Sequence, residues 1–337
     1  MLRVAVVGAG YIGQLHANII AEKIDRARVV AVVDPIPDKG RRLAERLGAL
    51  YYSCYDSMLS EADVDTVAIC TPTFLHAEMV VKAARSGKNI FCEKPIAVSV
   101  EAADQMIEAV RAAGVNAMAG HVLRFWPEYM RVKEIADSGE LGKPMHGFFE
   151  RLGVIPDWTE AGWNRKEELG GGAGLDLQIH DIDFASWLFG PAQALSAQGV
   201  YDPELGGWGH MGTSISFKSG QSALVQGGWA FPSSFPFTMT VRVLCERGAI
   251  EWLFRAGKNI EERGKSAPII VYLPNGKTRE EHAEPIDPYL VQWRYFVDCV
   301  DSGLPIQKAA FEDARVSLAL ALASQASAAR RGALVDA

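Results

Sequence analysis

Val6-Val7-Gly8-Ala9-Gly10-Tyr11-Ile12-Gly13 closes an apolar, β-branched run that starts at Arg3 and opens an amphipathic stretch that lasts to Ile24. A strand that feeds a helix through Gly-x-Gly-x-x-Gly has a physical reading. The first glycine permits the tight turn, the second admits a pyrophosphate to the backbone, and the third lets helix pack on strand. The helix N-terminus meanwhile offers free N–H groups to the anion. Glycine triplets also arise in ordinary βα turns, so the surroundings decide. Asp34 ends the second apolar run, 21 residues after Gly13, where a carboxylate would bond adenosine ribose hydroxyls and repel a 2′-phosphate. The spacing predicts NAD in preference to NADP, tempered by Lys39, Arg41 and Arg42 close behind. The competing reading of Asp34 is a helix N-cap or an Asp-Pro turn residue with Pro35.

Outward from this turn, β-branched runs alternate with helical patterns. Strands are expected at Arg3–Val7, Arg28–Val33, Val64–Cys70, Asn89–Cys92 and Asn116–Ala119, with helices over Gly13–Ile24, Ile36–Leu47, Leu75–Ala84 and Ala102–Ala112, the last capped by Ser99 and Gly114. Such alternation builds parallel βαβ units. After Gly120 the pattern changes. A helix at Pro127–Asp137 leads into a strand at Met145–Leu152, and β-like runs follow at Met211–Phe217, Ser222–Trp229, Thr238–Leu244, Ala249–Trp252 and Ile269–Tyr272. Strands joined by tight turns favour antiparallel or mixed pairing. From Pro288 the tail is helical twice, broken around Gly303 and Pro305. The expected fold is α/β: an N-terminal doubly wound parallel sheet of Rossmann type in residues 1–120, and a C-terminal α/β domain with an open mixed, largely antiparallel sheet in residues 121–337.

Composition bounds the function. The 337 residues are 49% apolar and 22% charged, as in ordinary folded domains, and the net charge of −7 lacks the basic face that phosphate backbones need. Nucleic acid is therefore not an expected partner. The five cysteines are odd in number and lack a CxxC spacing, which fits reduced thiols of the cytoplasm. No charged leader precedes Val4–Val7, and no apolar run approaches the roughly 20 residues that span a bilayer. A soluble, cytoplasmic protein is expected.

Two clusters carry candidate chemistry. Glu93-Lys94-Pro95 ends a predicted strand, and in doubly wound sheets ligands sit at the carboxyl ends of strands. Lys94 is then placed to reach a substrate oxygen, although a solvated loop lysine fits equally. The second cluster is Gly170–Gly174 followed by Leu175-Asp176-Leu177-Gln178-Ile179-His180-Asp181-Ile182-Asp183-Phe184. If this run is helical, Asp176 and His180 at i and i+4 share a face within reach of one small ligand. A neutral imidazole is a natural acceptor for the proton of a hydroxyl being oxidised, with Lys94 assisting and Asp176 holding the substrate. The plain alternative for the pair is a surface salt link. A metal site at His180, Asp181 and Asp183 is not expected, because adjacent helical residues point different ways.

Together these signals resemble the Gfo/Idh/MocA oxidoreductases, the family of glucose–fructose oxidoreductase and inositol dehydrogenase. The resemblance runs through Val6–Gly13, Cys70–His76, Glu93–Pro95, the glycine-rich approach to Asp176 and His180, and the Gly228-Trp229 and Arg247-Gly248-Ala249 segments. It implies a Rossmann domain and a second domain whose open sheet mediates homodimers or homotetramers. It implies Lys94, Asp176 and His180 as catalytic residues, with the second domain bringing the latter two to Lys94. Thr71, Pro72, Thr73, Leu75 and His76 match the loop along the dinucleotide, Glu93 the residue approaching the nicotinamide ribose, and Tyr11 and Ile12 the phosphate turn. Substrate groups are expected at Arg124, Trp163, Asn164, Arg165 and Tyr289. The implied activity is NAD-dependent oxidation of a secondary hydroxyl on a small polyhydroxylated cyclitol or sugar. The rivals are a glycoside or sugar-nucleotide 3-dehydrogenase or reductase, with Arg124, Arg151 and Arg165 as candidate diphosphate ligands, and a non-catalytic dinucleotide-binding regulator.

Overall fold

Val4 to Val7 have almost no exposed surface, as expected for a strand covered on both faces, and the first unit is built around them. The computed structural model describes residues 1–155, 160–204, 206–256 and 267–337, and the counts below refer to these. Six strands, β1 (Leu2–Val7), β2 (Ala27–Val33), β3 (Leu50–Tyr52), β4 (Thr66–Ile69), β5 (Asn89–Cys92) and β6 (Ala117–Ala119), pair in parallel in the order β3-β2-β1-β4-β5-β6. The connecting helices are α1 (Tyr11–Lys23), α2 (Pro37–Leu47), α3 (Tyr55–Glu61), α4 (His76–Arg85) and α5 (Val100–Ala113). This order reverses direction between β1 and β4, the switch point at which doubly wound sheets leave a crevice for ligands. As expected, Ser99 caps α5 by accepting from Ala102 N, and Gly114 ends it in the left-handed region.

The second unit carries nine strands: β7 (Pro144–Val154), β8 (Ala192–Asp202), β9 (Gly207–Phe217), β10 (Ser222–Phe231), β11 (Thr238–Cys245), β12 (Ala249–Arg255), β13 (Ile269–Tyr272), β14 (Thr278–Glu281) and β15 (Val335–Asp336). Their order is β14-β13-β12-β11-β7-β10-β9-β8-β15, antiparallel except where β10 meets β7. Helices α6 (Pro127–Asp137), α7 (Glu167–Gly170) and α8 (Ile179–Phe189) belong to this unit, and α9 (Pro288–Ser302) and α10 (Phe311–Ala329) close the chain. Its core is aromatic: Phe184 meets Tyr129 and Phe149 edge-on at 4.8 and 5.3 Å, and Tyr129 meets Trp252 at 5.5 Å.

Several expectations change. The first unit comprises Met1–Val122 together with a returning segment, Asp287–Arg315, rather than ending at residue 120 with all the rest in a second domain. The return has a physical cause at β6: Ala119 N donates to Ala309 O, and Gln292 Nε2 donates to Ala119 O, so the segment covers a sheet edge that would otherwise be open. β3 is too short to show a period. β8 is rich in Ala, Gln and Gly, weak strand formers that pairing with β9 holds extended. The run before α8 is not simply α-helical, because Gly174–Gln178 forms a π turn.

α8 also corrects the role expected of Arg124. Asp181 and Asp183 on this helix are completely buried, which is tolerable only if each is paired. Arg124 grips Asp183 through Nε and Nη2 at 2.8 and 2.9 Å, and Ser317 Oγ donates to the same carboxylate at 2.8 Å. Asp181 accepts from Arg151 Nε at 2.9 Å and from Tyr129 Oη at 3.2 Å. Burial pushes the Asp181 carboxyl up despite both partners. Arg124 is thus an interior counter-ion and not an open substrate group. Arg124→Ala strands Asp183 in the core and should cost roughly 3–5 kcal/mol, read as a lowered urea midpoint; a midpoint equal to wild type would contradict this role.

Candidate active site

The glycine turn is built by close backbone approach. Gly8 has φ +98°, and a Cβ there would lie 2.6 Å from Cys70 O; a Cβ on Gly13 would lie 1.8 Å from Gly8 O. Gly10 differs, since nothing stands within 4 Å of its missing side chain. That open space adjoins the N-terminus of α1, whose first turn has no side-chain cap. A cleared backbone beside uncapped N–H groups fits a pyrophosphate, with Tyr11 and Ile12 in that first turn. Asp34, nearly buried, accepts from Ala9 N at 2.7 Å through Oδ2 and from Ile36 N at 2.8 Å through Oδ1. It is therefore a turn residue and a brace of the glycine loop at once. Each oxygen keeps acceptor capacity for a ribose hydroxyl. Arg41, one of the cations expected to temper the preference for NAD, lies over the Tyr51 ring at 5.5 Å.

Two loops follow at the ends of β4 and β5. Thr71 and Pro72 lead into a 3₁₀ turn, Thr73–Leu75, and then into α4 at His76. His76 is buried, with Nδ1 2.9 Å from Pro95 O and Nε2 2.9 Å from Thr71 O. Burial pushes its pKa down, and a neutral ring, with a single N–H, donates to one of these two carbonyls. Glu93 is nearly buried and ends in a network that the sequence reading did not single out. The indole of Trp293 can only donate, so His16 Nδ1 accepts from it at 2.9 Å, and His16 Nε2 then donates to Glu93 Oε1 at 2.8 Å. Lys94 N donates to Glu93 Oε2 at 3.0 Å. Burial works to raise the Glu93 carboxyl, but the bond from His16 with the charge and N–H of Lys94 holds it below the ordinary carboxylate range. Tyr289 stands edge-on to His16 at 5.6 Å, which puts it beside this cluster. The signal for His16 was available: it follows Gly13 by three residues, one turn along α1.

In the second unit, Asp176 and His180 are partly exposed at the π turn and the start of α8. Asn164 is buried, and its Nδ2 donates to Asp176 Oδ2 at 3.1 Å, so one expected substrate group instead orients another. Trp163 and Arg165 flank it, partly exposed. Gly170 permits this approach, because a Cβ there would lie 2.4 Å from the Asn164 Cα.

A 3-2-1-4-5-6 parallel sheet with this glycine turn and acidic strand end defines a dinucleotide-binding domain of Rossmann type. The chain belongs to the Gfo/Idh/MocA oxidoreductase family. Residues 2–121 match its oxidoreductase domain with NAD-binding Rossmann fold, and residues 129–251 match the GFO/IDH/MocA C-terminal domain. NAD is its cofactor. The chain is 31% identical to scyllo-inositol 2-dehydrogenase (NAD(+)) of Bacillus subtilis over 90% of its own length and 87% of that protein. It is 37% identical to 2,7-anhydro-N-acetylneuraminate hydratase of Mediterraneibacter gnavus, over 55% of its own length and about half, 49%, of the hydratase. The fold is similar to that of aldose-aldose oxidoreductase from Caulobacter crescentus, with TM-score 0.86, 23% identity, and coverage of 100% of this chain and 99% of that one.

Asp34→Asn keeps an acceptor for the glycine loop while removing the charge that repels a 2′-phosphate. Calorimetry should show NADP affinity rising roughly tenfold relative to NAD; an unchanged ratio would remove Asp34 from cofactor choice.

Proposed function

We propose that the protein is an inositol dehydrogenase-like enzyme that oxidises one secondary hydroxyl of a cyclitol or sugar, with His180 as the proton acceptor and Lys94 and Asp176 assisting. One observation carries the reading. Of the four titratable side chains between Asp176 and Asp183, Asp181 and Asp183 are sealed inside and paired with Arg151 and Arg124, whereas Asp176 and His180 keep exposed surface. Those are the acid and base that substrate chemistry would use. Bound NAD supplies the acceptor for the hydrogen and electron pair that leave the carbinol carbon. His180 takes the hydroxyl proton, as an imidazole that titrates near neutrality can. Asp176, held by Asn164, hydrogen-bonds the substrate. Lys94 donates to the reacting oxygen and stabilises the charge that develops there. Thr71, Thr73 and Glu93 hold the cofactor, and Trp163, Arg165 and Tyr289 contribute to substrate recognition.

The inositol 2-dehydrogenase relatives, several of them matched over most of their length, support a polyhydroxylated substrate of this kind. A sugar-nucleotide substrate is less well supported, because Arg124 and Arg151, two of its three candidate diphosphate ligands, are engaged with buried aspartates. We also propose a homodimer or homotetramer formed through the open face of the nine-stranded sheet and a cytoplasmic location, supported by free thiols at all five cysteines. No helix among the described residues is long and apolar enough to cross a membrane.

An NAD reduction screen across inositols, aldoses and glycosides tests the substrate class. NADH should form with at least one inositol or sugar, and silence across the panel would favour a regulator. With the active compound, His180→Ala should lower kcat about 10²- to 10⁴-fold while NAD affinity stays at the wild-type value. Turnover close to wild type would take His180 out of the mechanism.

A further inference from the structure

The π turn that carries Asp176 is held by a side chain with no part in the proposed chemistry. Gln178 is completely buried. Its Nε2 lies 3.0 Å from Val225 O, 3.0 Å from Thr213 Oγ1 and 3.3 Å from Met211 O, across the paired strands β10 and β9. Its Oε1 has no partner among the described residues. With Oε1 unpaired, the amide acts on its surroundings through its N–H end. The sheet is shaped to receive it. A Cβ on Gly227 would lie 2.6 Å from Gln178 Cα and Cβ and 2.7 Å from its N, so the missing side chain lets this one turn touch the strand. On its other side the turn abuts α10, where a Cβ on Gly174 would lie 3.0 Å from Gln325 Nε2, and that amide donates to Gly171 O.

We infer that Gln178, docked against Gly227, is a positioning residue that holds Gly174–Gln178 in the π conformation and thereby sets where Asp176 stands relative to His180. Ile179 N reaches back to Gly174 O, the i to i−5 bond of a π turn. Such a turn contains one residue more than an α turn. If it relaxed to α-helix, everything before it would rotate about the axis of α8 by about 100°, one residue of a 3.6-residue turn. Asp176 lies within the turn and would shift as it relaxed, whereas His180 lies beyond it. The bond from Asn164 Nδ2 to Asp176 is made with the turn in its π conformation. π turns are costly and concentrate at functional sites, and here the anchor, the glycine that admits it and the acidic residue it aims fall within one packed unit.

The inference rests on the proposed roles of Asp176 and His180, and its test separates the two. Gln178→Leu keeps the bulk and removes the donors; Gly227→Ala pushes on the same turn and leaves the amide intact. In each full-length variant that folds, the His180 ring is followed by ¹H–¹⁵N NMR across pH, assigned by its absence in His180→Ala, alongside NADH binding by fluorescence and turnover of scyllo-inositol. The expected result is a displaced His180 titration midpoint and a turnover lower by roughly 10²-fold, with NADH affinity unchanged. A His180 titration curve that superimposes on wild type in either variant would overturn the positioning role. Wild-type turnover in His180→Ala would instead overturn the catalytic reading and leave the NMR result standing.

Discussion

Two aspartates on the innermost helix of the second unit, Asp181 and Asp183, have no access to water, and the organisation of that unit depends on their neutralisation. An isolated carboxylate in such surroundings would shed its charge or unfold the helix. Arg151 and Tyr129 answer one, and Arg124 and Ser317 the other. These partners come from β7, α6, the segment before α6 and α10, so the bonds to the two carboxylates fasten α8 to four other segments of the chain. Because the first turns of α8 are fixed in this way, His180 at its second position stands in a defined place, directly after the π turn that carries Asp176. The same arrangement removes two arginines from the pool that a charged substrate would need.

The first unit solves a different problem with the same economy of groups. Its candidate cofactor surface is made by backbone: Gly8 and Gly13 let β1, α1 and the end of β4 approach one another, and Asp34 ties the glycine loop to the end of β2. Behind the β5 loop, Trp293 fixes which nitrogen of His16 carries the proton, and His16 in turn fixes Glu93. That chain of single-donor, single-acceptor contacts leaves each group one way to bond. His76, between the β4 and β5 loops, faces a carbonyl oxygen at each ring nitrogen.

Much of this was readable from residue order, for reasons that are local. The glycine spacing, Asp34 at a strand end, Ser99 and Gly114 as caps, and the alternation of strand and helix all report on their own few residues, and the structure places each as expected. What escaped depends on partners distant in sequence. Arg124 reads as an exposed cation until Asp183, 59 residues away, is seen beside it. The bond from Asn164 to Asp176, 12 residues on, is likewise invisible in the local sequence. The return of Asp287–Arg315 follows from an open edge at β6, and no periodicity announces it. The π turn at Gly174–Gln178 keeps the hydrophobic pattern of a helix start, so only the contact of Gln178 with β9 and β10 reveals it.

The proposed function turns on one transfer, hydrogen from a carbinol carbon of the substrate to NAD. The most direct measurement uses an inositol or sugar that supports NADH formation, deuterated at its carbinol positions, and follows the label by mass spectrometry of the dinucleotide. The account predicts NADH one mass unit heavier, with a deuterium at the nicotinamide ring. Consumption of the labelled compound with all deuterium retained in the product and none in the dinucleotide would contradict it.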